Sequence, residues 1–149
     1  MRIAAFTGSF DPFTTGHDDI LRRALPLFDR IVIGVVESNV HKSHARSAEE
    51  RRAAIADIYA KEPRVEVKIY SDLAVDFARR EGALFIIKGI RSVKDFEYER
   101  EMAEINRSLN GTETLLLLAD PALAHISSSM VRELAHYGKD ISKYLPKAK

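Results

Sequence analysis

Short apolar runs of strand length alternate along the chain with segments whose apolar residues recur at helical spacing. The runs lie at 2–7, 31–36, 65–70, 84–87 and 114–118. The second run is apolar and β-branched, which is typical of a central strand buried on both faces of a parallel sheet. The third alternates apolar with polar residues, which indicates a strand near the sheet edge. The alternation predicts an α/β fold, a doubly wound, Rossmann-like parallel sheet of about five strands.

Helix boundaries are marked between these strands. Pro26 falls late in the first helical segment and should shorten or kink it. Ser47 and Glu50 have the spacing of a capping box that starts the second helix, and Asp72 is a candidate cap for the third. The expected helices are at about 17–28, 48–59, 73–80 and 93–109, with a last helix after 126–129.

The helical segment 93–109 is the longest and is strongly charged. Asn110 and Gly111 are expected to close it. Taken one by one, its apolar side chains are expected to face the core rather than an interface: Phe96, Met102, Ile105 and Leu109.

Composition narrows the class of protein. A chain of 149 residues suits one domain, residues 1–149, with a sizeable core. It has no cysteine, which excludes disulfides, thiolate catalysis and cysteine-based zinc sites. A formal net charge of +1 gives no argument for a nucleic-acid or membrane partner. No apolar run approaches the roughly 20 residues of a membrane span, and no signal-peptide layout is present, so we expect a cytoplasmic protein.

The stretch 8–17 joins the first strand to the first helix and has the composition of an anion site. Gly8 and Gly16 are expected to allow a tight turn and a close approach of the backbone. The free N–H groups and dipole of a helix N-terminus suit phosphate. His17 lies in the first turn, where its imidazole can add a proton donor to the same anion.

Four loops should meet at the carboxyl edge of the sheet, which is where open α/β sheets bind ligands. They are 8–17, 37–46, 88–91 and 120–129, and together they supply cations, hydroxyls and helix N-terminal amides. This composition predicts a polyphosphate site. The chain lacks the P-loop pattern, the glycine fingerprint of dinucleotide sites and a Gly-x-Ser-x-Gly nucleophile elbow.

Four motifs, in order and at matching spacing, resemble one family across essentially the whole chain. They are Gly-Ser-Phe-Asp-Pro-x-Thr-x-Gly-His, Lys-Gly-Ile-Arg, Asp-Phe-Glu-Tyr-Glu and Ile-Ser-Ser-Ser-x-Val-Arg. They are similar to those of the phosphopantetheine adenylyltransferases, within the nucleotidyltransferases that carry T/HxGH and ISSS-type motifs. The block from Lys88 to Glu99, and Thr14 in place of a first histidine, favour this branch over the nicotinate-mononucleotide adenylyltransferases and cytidylyltransferases.

The resemblance implies a reaction, a cofactor and an assembly. ATP and 4′-phosphopantetheine would give 3′-dephospho-coenzyme A and pyrophosphate, a step of coenzyme A biosynthesis, with Mg²⁺. The acceptor phosphate would attack the α-phosphorus in line, without a covalent enzyme intermediate. Members of the family usually assemble as hexamers. No protein ligand to a metal is assigned.

The resemblance also implies roles for individual residues. His17 matches a histidine that stabilises the transition state, Lys42 a loop lysine that reaches the reacting phosphates, and Arg91 a phosphate-binding arginine. The implied substrate-binding residues are Ser9, Lys42, Ala74 (beside Leu73 along the pantetheine arm) and Lys88. The implied ATP-binding residues are Ser9, Phe10, His17, Gly89, Ile90, Arg91, Glu99, Leu123, Ala124, His125, Ile126, Ser127, Ser128 and Ser129.

The chain departs from the family pattern at three places. Ser9 stands where many members have Thr, and Lys88 where many have Arg, so a point charge replaces a bidentate fork. The loop 37–46 is one residue longer than in some relatives, which makes His41 a rival of Lys42.

Two alternative functions stay open on the sequence. One is transfer of AMP or CMP to another phosphorylated acceptor, such as a mononucleotide or a polyol phosphate. The other is a non-catalytic nucleotide sensor of the same fold. The intact His17 argues against a sensor, because a sensor does not need a group that serves the transition state.

Overall fold

The computed structural model describes residues 1–38 and 44–148. Within these ranges its strands are β1 (Ile3–Gly8), β2 (Arg30–Val36), β3 (Val65–Tyr70), β4 (Phe85–Ile90) and β5 (Glu113–Leu118). All neighbouring strands pair in parallel, in the order β3-β2-β1-β4-β5. The predicted doubly wound sheet is confirmed, including the edge position of the strand at 65–70.

The described helices alternate with these strands. They are α1 (Thr15–Ala24), α2 (Ala48–Ile58), α3 (Ala74–Arg80), α4 (Val93–Asn110) and α5 (Ser128–His136), with 3-10 turns at Leu25–Leu27 and Ser142–Tyr144. No helix in the described ranges is long and apolar enough to cross a membrane.

The core lies on both faces of the sheet because adjacent residues of a strand point to opposite sides. On β1, Phe6 packs into the cluster that includes Leu21 of α1 and Ile55 of α2. Its neighbour Ala5 packs on the other face with Phe77 of α3. The buried character predicted for the central strands is confirmed.

The helix starts and stops show which local rules held. Pro26 stands inside the 3-10 turn that follows α1, so the helix ends early, as predicted. Ser47 and Glu50 form the expected capping box. The assignment of Asp72 as a cap of α3 is wrong, because its carboxylate instead accepts a 2.8 Å hydrogen bond from Arg80. Leu73 occupies the cap position without a side-chain hydrogen bond.

The expectation that the apolar residues of α4 face the core is also wrong. No α4 residue is buried, and Phe96, Met102, Ile105 and Leu109 are 44%, 36%, 50% and 57% exposed. Helical spacing places Met102, Ile105 and Leu109 on one face of α4 and Phe96 on the opposite side, but spacing does not show what covers either side.

Gly34 in β2 is required by packing against α3. A Cβ built at Gly34 would lie 2.5 Å from Cε2 of Phe77, a ring that is only 1% exposed. We expect Gly34→Ala to lower the free energy of unfolding by about 1–3 kcal/mol, the usual cost of overpacking. Chemical denaturation measures this. A second substitution, Phe77→Leu, should recover part of the loss, and an unchanged free energy of unfolding in Gly34→Ala would contradict the packing argument.

Candidate active site

A cleft of about 570 Å³ opens at the carboxyl edge of the sheet, between β1 and β4. These strands pair only as far as Phe6 and Ile87. Beyond that point β1 continues against β2 and β4 continues against β5, so the two strands separate. The strand order reverses here, and such a reversal is the usual ligand crevice of an open α/β sheet.

Most of the predicted site residues come together in this cleft. Those that line it are Ser9, Phe10, His17, Lys88, Gly89, Arg91, Glu99, Leu123, Ile126, Ser127, Ser128 and Ser129.

Other predicted residues lie elsewhere. The lining of the cleft does not include Ile90, Ala124 or His125. Ile90 is buried and His125 is exposed. Ala74 lines an adjoining cavity. Lys42 and its rival His41 lie outside the described residues, so their roles stay predictions.

Lys88 and Gly89 belong to β4 itself, not to a loop after it as the sequence suggested. The strand reaches Ile90 because β5 supplies pairing partners beyond the point where β1 stops. Gly89 also has a packing reason, since a Cβ there would lie 2.8 Å from Cγ1 of Ile20 in α1. Gly89 therefore lets the helix that carries His17 approach the strand that carries Lys88.

The start of α1 determines which nitrogen of His17 carries a proton. Thr14 caps the helix, and its backbone N–H donates to Nδ1 of His17 over 2.9 Å. A nitrogen that accepts this bond has no proton, so in the neutral ring Nε2 carries the hydrogen. The imidazole is thus available as a neutral donor through Nε2.

The surroundings of His17 keep it neutral. The rings of Phe10 and Phe13 lie with centroids 5.0 and 5.2 Å from the imidazole. Burial among these groups, followed by the positive charges of Arg91 and Lys88, lowers the pKa of His17 from 6.5 to about 4. At neutral pH the positive charge of the cleft therefore comes from Lys and Arg, while His17 contributes a hydrogen-bond donor.

Two cations on or just after β4 are held by acids of α4. The Lys88 ammonium donates to the Thr7 carbonyl over 3.3 Å and lies 3.9 Å from the Glu99 carboxylate. Arg91 pairs with Asp95 at 3.6 Å. These partners leave both cations partly accessible at the cleft, where they can bind an anion.

The serine run begins α5, and Ser127 and Ser128 have structural roles there. Ser127 caps the helix by accepting from the N–H of Met130. Ser128 donates to the Pro12 carbonyl over 2.8 Å and so joins α5 to the loop before α1. An anion here would meet the free N–H groups of the first turn and the exposed Ser129 hydroxyl.

Sequence reasoning missed several residues that line the cleft. Arg132 donates to the Asp11 carbonyl over 2.5 Å and to the Ser129 hydroxyl over 3.3 Å. It is the arginine that ends the serine motif, so the motif itself could have indicated it. Lys94, Asp95 and Tyr98 also line the cleft. Asp95 lies four residues before Glu99 on the same helical face, so the spacing of α4 could have found it, whereas Lys94 and Tyr98 lie five residues and one residue from Glu99 and are not indicated by that spacing.

Of the two roles expected for Gly8, the structure supports the close approach and not the tight turn. Its φ is not positive, so no left-handed turn requires glycine there. A Cβ at Gly8 would instead lie 3.1 Å from the Phe10 ring. Phe10 itself has a φ of 50°, a conformation that side-chain-bearing residues rarely adopt, and its ring is buried.

Comparisons with known proteins agree with the motifs. A model of the cytidylyltransferase-like family matches residues 5–134. A phosphopantetheine adenylyltransferase of Bacteroides fragilis is 49% identical, with 99% of this chain and 97% of the relative covered. Those of Porphyromonas gingivalis and Leuconostoc citreum are 50% and 47% identical, covering 97% and 99% of this chain and 94% and 93% of the relatives.

A solved structure supports the fold. A bifunctional NMN adenylyltransferase/ADP ribose pyrophosphatase of Francisella tularensis, complexed with AMP and a manganese ion, aligns with a TM-score of 0.71 at 15% identity. The alignment covers 97% of this chain, which spans less than half, 44%, of that bifunctional protein.

The fold and the family match define a nucleotidyltransferase of the cytidylyltransferase-like class. Within it, the chain belongs to the phosphopantetheine adenylyltransferase family, as the resemblance of its motifs predicted.

We expect the His17 ring to stay neutral, with its hydrogen on Nε2, from pH 8 down to about pH 5, because its pKa lies near 4. Long-range proton–nitrogen NMR of the ligand-free protein measures this, with His17→Gln identifying the resonances. A hydrogen on Nδ1 would contradict the capping geometry. A charged ring at pH 6 would contradict the lowered pKa of His17.

Proposed function

We propose that the cleft transfers the adenylyl group of ATP to 4′-phosphopantetheine by direct in-line attack. An oxygen of the acceptor phosphate forms a bond to the α-phosphorus, and the bond from that phosphorus to the bridging oxygen of the β-phosphate breaks. The products are 3′-dephospho-coenzyme A and pyrophosphate. The observation that carries this proposal is the sequence identity of 49% and 50%, over nearly the full length of the chain, to relatives that bear the enzyme's name.

His17 acts as a neutral donor to the α-phosphate. Its Nε2–H stabilises the negative charge that develops on the non-bridging oxygens as the attacking bond forms. A donor that is already oriented by Thr14 costs no reorganisation during the reaction. No protein nucleophile takes part, since positioning and charge stabilisation account for most catalysis of phosphoryl-type transfer.

The triphosphate is placed by groups from two sides of the cleft. Arg91 approaches from the end of β4, and the N-terminal amides of α5 with Ser129 approach from the other side. Arg132 adds a cation beside Ser129. Lys42, from outside the described residues, completes this set as a prediction from the family motif.

The acceptor enters from an adjoining cavity. This cavity of about 210 Å³ shares Lys88 and Glu99 with the main cleft. Its apolar lining includes Leu73, Ala74, Met102, Ile105 and Leu109. An acceptor with a phosphate at Lys88 can therefore place its pantetheine arm against Ala74. This arrangement supports Lys88 as the cation for the acceptor phosphate.

Mg²⁺ is proposed as the cofactor, held mainly by the phosphates of ATP. No group of three or more His, Cys, Asp or Glu that could hold a metal occurs in the part of the chain that the structure describes. Asp95 and Glu99 line the cleft, but both are paired with cations. Magnesium is commonly bound by substrate phosphates with one or two carboxylates. When bound, it would offset the charge of the leaving pyrophosphate.

We expect pyrophosphate release from ATP and Mg²⁺ with 4′-phosphopantetheine, and not with nicotinate mononucleotide or glycerol 3-phosphate. Loss of the His17 donor in His17→Ala should lower kcat by about 100- to 1000-fold. His17→Gln should lose less, because its amide can donate, and the exposed His136→Ala should be unchanged. Pyrophosphate release with another acceptor would contradict 4′-phosphopantetheine as the acceptor and favour transfer to a mononucleotide or a polyol phosphate. ATP binding without release would favour the sensor.

We also propose that the chain works in the cytoplasm and assembles as a homohexamer through the exposed apolar face of α4. Met102, Ile105 and Leu109 form this face, and their exposure to water, at 36%, 50% and 57%, favours burial against another surface. The resemblance to the family, whose members usually assemble as hexamers, supports an assembly of six chains. The exposed apolar face supports α4 as the region of contact between them.

We expect sedimentation velocity to give a species near six times the chain mass. Ile105→Glu should shift it towards smaller species, because a buried charge without a partner opposes association. Leu27→Glu is the matched control, since Leu27 is similarly exposed (46%) but lies away from α4. A wild-type monomer, or equal effects of the two substitutions, would contradict the proposal.

A further inference from the structure

Arg51 is a buried arginine whose role the family motifs do not indicate. It lies in α2 and is only 1% exposed. Among the described residues it forms no ion pair within 4 Å; its hydrogen bonds go to backbone carbonyls. A buried cation is costly unless it is well bonded, so these contacts must compensate for its desolvation.

The carbonyls come from three separate segments of the chain, and one of these residues, Ser9, lines the cleft. Nη1 donates to Ser9 over 2.7 Å, in the loop after β1, and to Val36 over 3.0 Å, at the end of β2. Nη2 donates to Glu37 over 3.4 Å, and Nε donates to Arg46, just before α2, over 3.1 Å. Four of the five guanidinium N–H groups are thus used. The fixed fork of the guanidinium sets the separation of these segments.

The bond to the Ser9 carbonyl also orients a peptide of the cleft. The C=O and N–H of a trans peptide point in opposite directions, so the Phe10 N–H is turned away from Arg51. Phe10 adopts a left-handed conformation that costs on the order of 1 kcal/mol or more and persists only when its surroundings impose it. Ser9 and Phe10 both line the cleft.

Asp11 reinforces the same arrangement. Its buried carboxylate accepts from the Ala45 N–H over 2.7 Å and lies 3.6 Å from Nε of Arg46. It therefore ties the loop after β1 to the segment before α2, which Arg51 also holds. Its negative charge offsets part of the cost of burying the guanidinium.

We propose that Arg51 is a positioning residue for adenylyl transfer, holding the Ser9–Phe10 peptide so that the Phe10 N–H faces the α-phosphate of ATP. This rests on the proposed function of the cleft. Arg51 does not touch the substrate. It places a donor where negative charge develops, while Arg91 and the start of α5 bind the rest of the triphosphate independently of it.

The test compares Arg51→Met and Arg51→Lys with wild type in steady-state pyrophosphate release. Misplacement of one reacting group by about 1 Å can cost about 100-fold, so we expect kcat of Arg51→Met to fall about 10- to 100-fold, with KM for ATP within about threefold. Lys has one ammonium in place of the guanidinium fork, so the kcat of Arg51→Lys should lie between those of wild type and Arg51→Met. Arg52→Met, the next residue of α2, is the matched control; Arg52 pairs with Glu49 at the surface.

Hydrogen–deuterium exchange supplies a readout that does not depend on activity. In both Arg51 variants, amides of 8–11 and 44–46 should exchange faster, while those of β1 and β4 below the cleft stay protected. If wild type releases no pyrophosphate, the proposed function has failed. The exchange data then decide by themselves whether Arg51 holds these segments.

Three results would overturn the proposal. They are an unchanged kcat in Arg51→Met, a loss of activity that only follows the fraction of unfolded protein, and unfolding of both Arg51 variants at the assay temperature. The last two would give Arg51 a general role in stability. Partial unfolding alone also lowers the apparent kcat at constant KM, so kcat is calculated per folded enzyme, with the folded fraction measured by circular dichroism. A fall in kcat that remains after this correction is the result expected of a positioning residue.

Discussion

The cleft exists because two neighbouring strands stop pairing. β1 and β4 share hydrogen bonds only as far as Phe6 and Ile87, and beyond that point each continues against its other neighbour. The backbone groups released at this gap need partners, and the Thr7 carbonyl finds one in the Lys88 ammonium. The start of α1, the first turns of α4 and the start of α5 surround the gap, so anion-binding groups gather there.

Within this gap, different side chains supply the positive charge and the oriented hydrogen-bond donor. Lys88, Arg91 and Arg132 supply positive charge, and they lie beside acids or carbonyls that hold them in place. His17 is kept neutral by aromatic neighbours and by these cations, and its orientation is set by Thr14. A neutral, oriented donor and separate cations suit a reaction in which charge moves between phosphate oxygens without a covalent enzyme intermediate.

The buried polar groups behind the cleft give it rigidity. Arg51 and Asp11 join the loop after β1 to the segment before α2, and Ser128 joins that same loop to α5. Each bond crosses between segments far apart in the chain. Such contacts leave little local trace in the sequence, which is why Arg51 and Asp11 were not among the predicted site residues although Ser9, His17 and the serine run were.

The sequence by itself determined the alternation of strands and helices, the buried central strands, the capping box at Ser47 and the family motifs. These depend on residue type and short spacing, which act through local backbone chemistry and side-chain periodicity. Only the tertiary structure decided that Asp72 binds Arg80 rather than capping α3, that the apolar face of α4 is uncovered, and that β4 extends through Lys88 to Ile90. Each of these outcomes depends on a partner from a distant part of the chain or, along α4, on the lack of one among the described residues. Local spacing shows which residues share a face, but only the packed chain decides what that face meets.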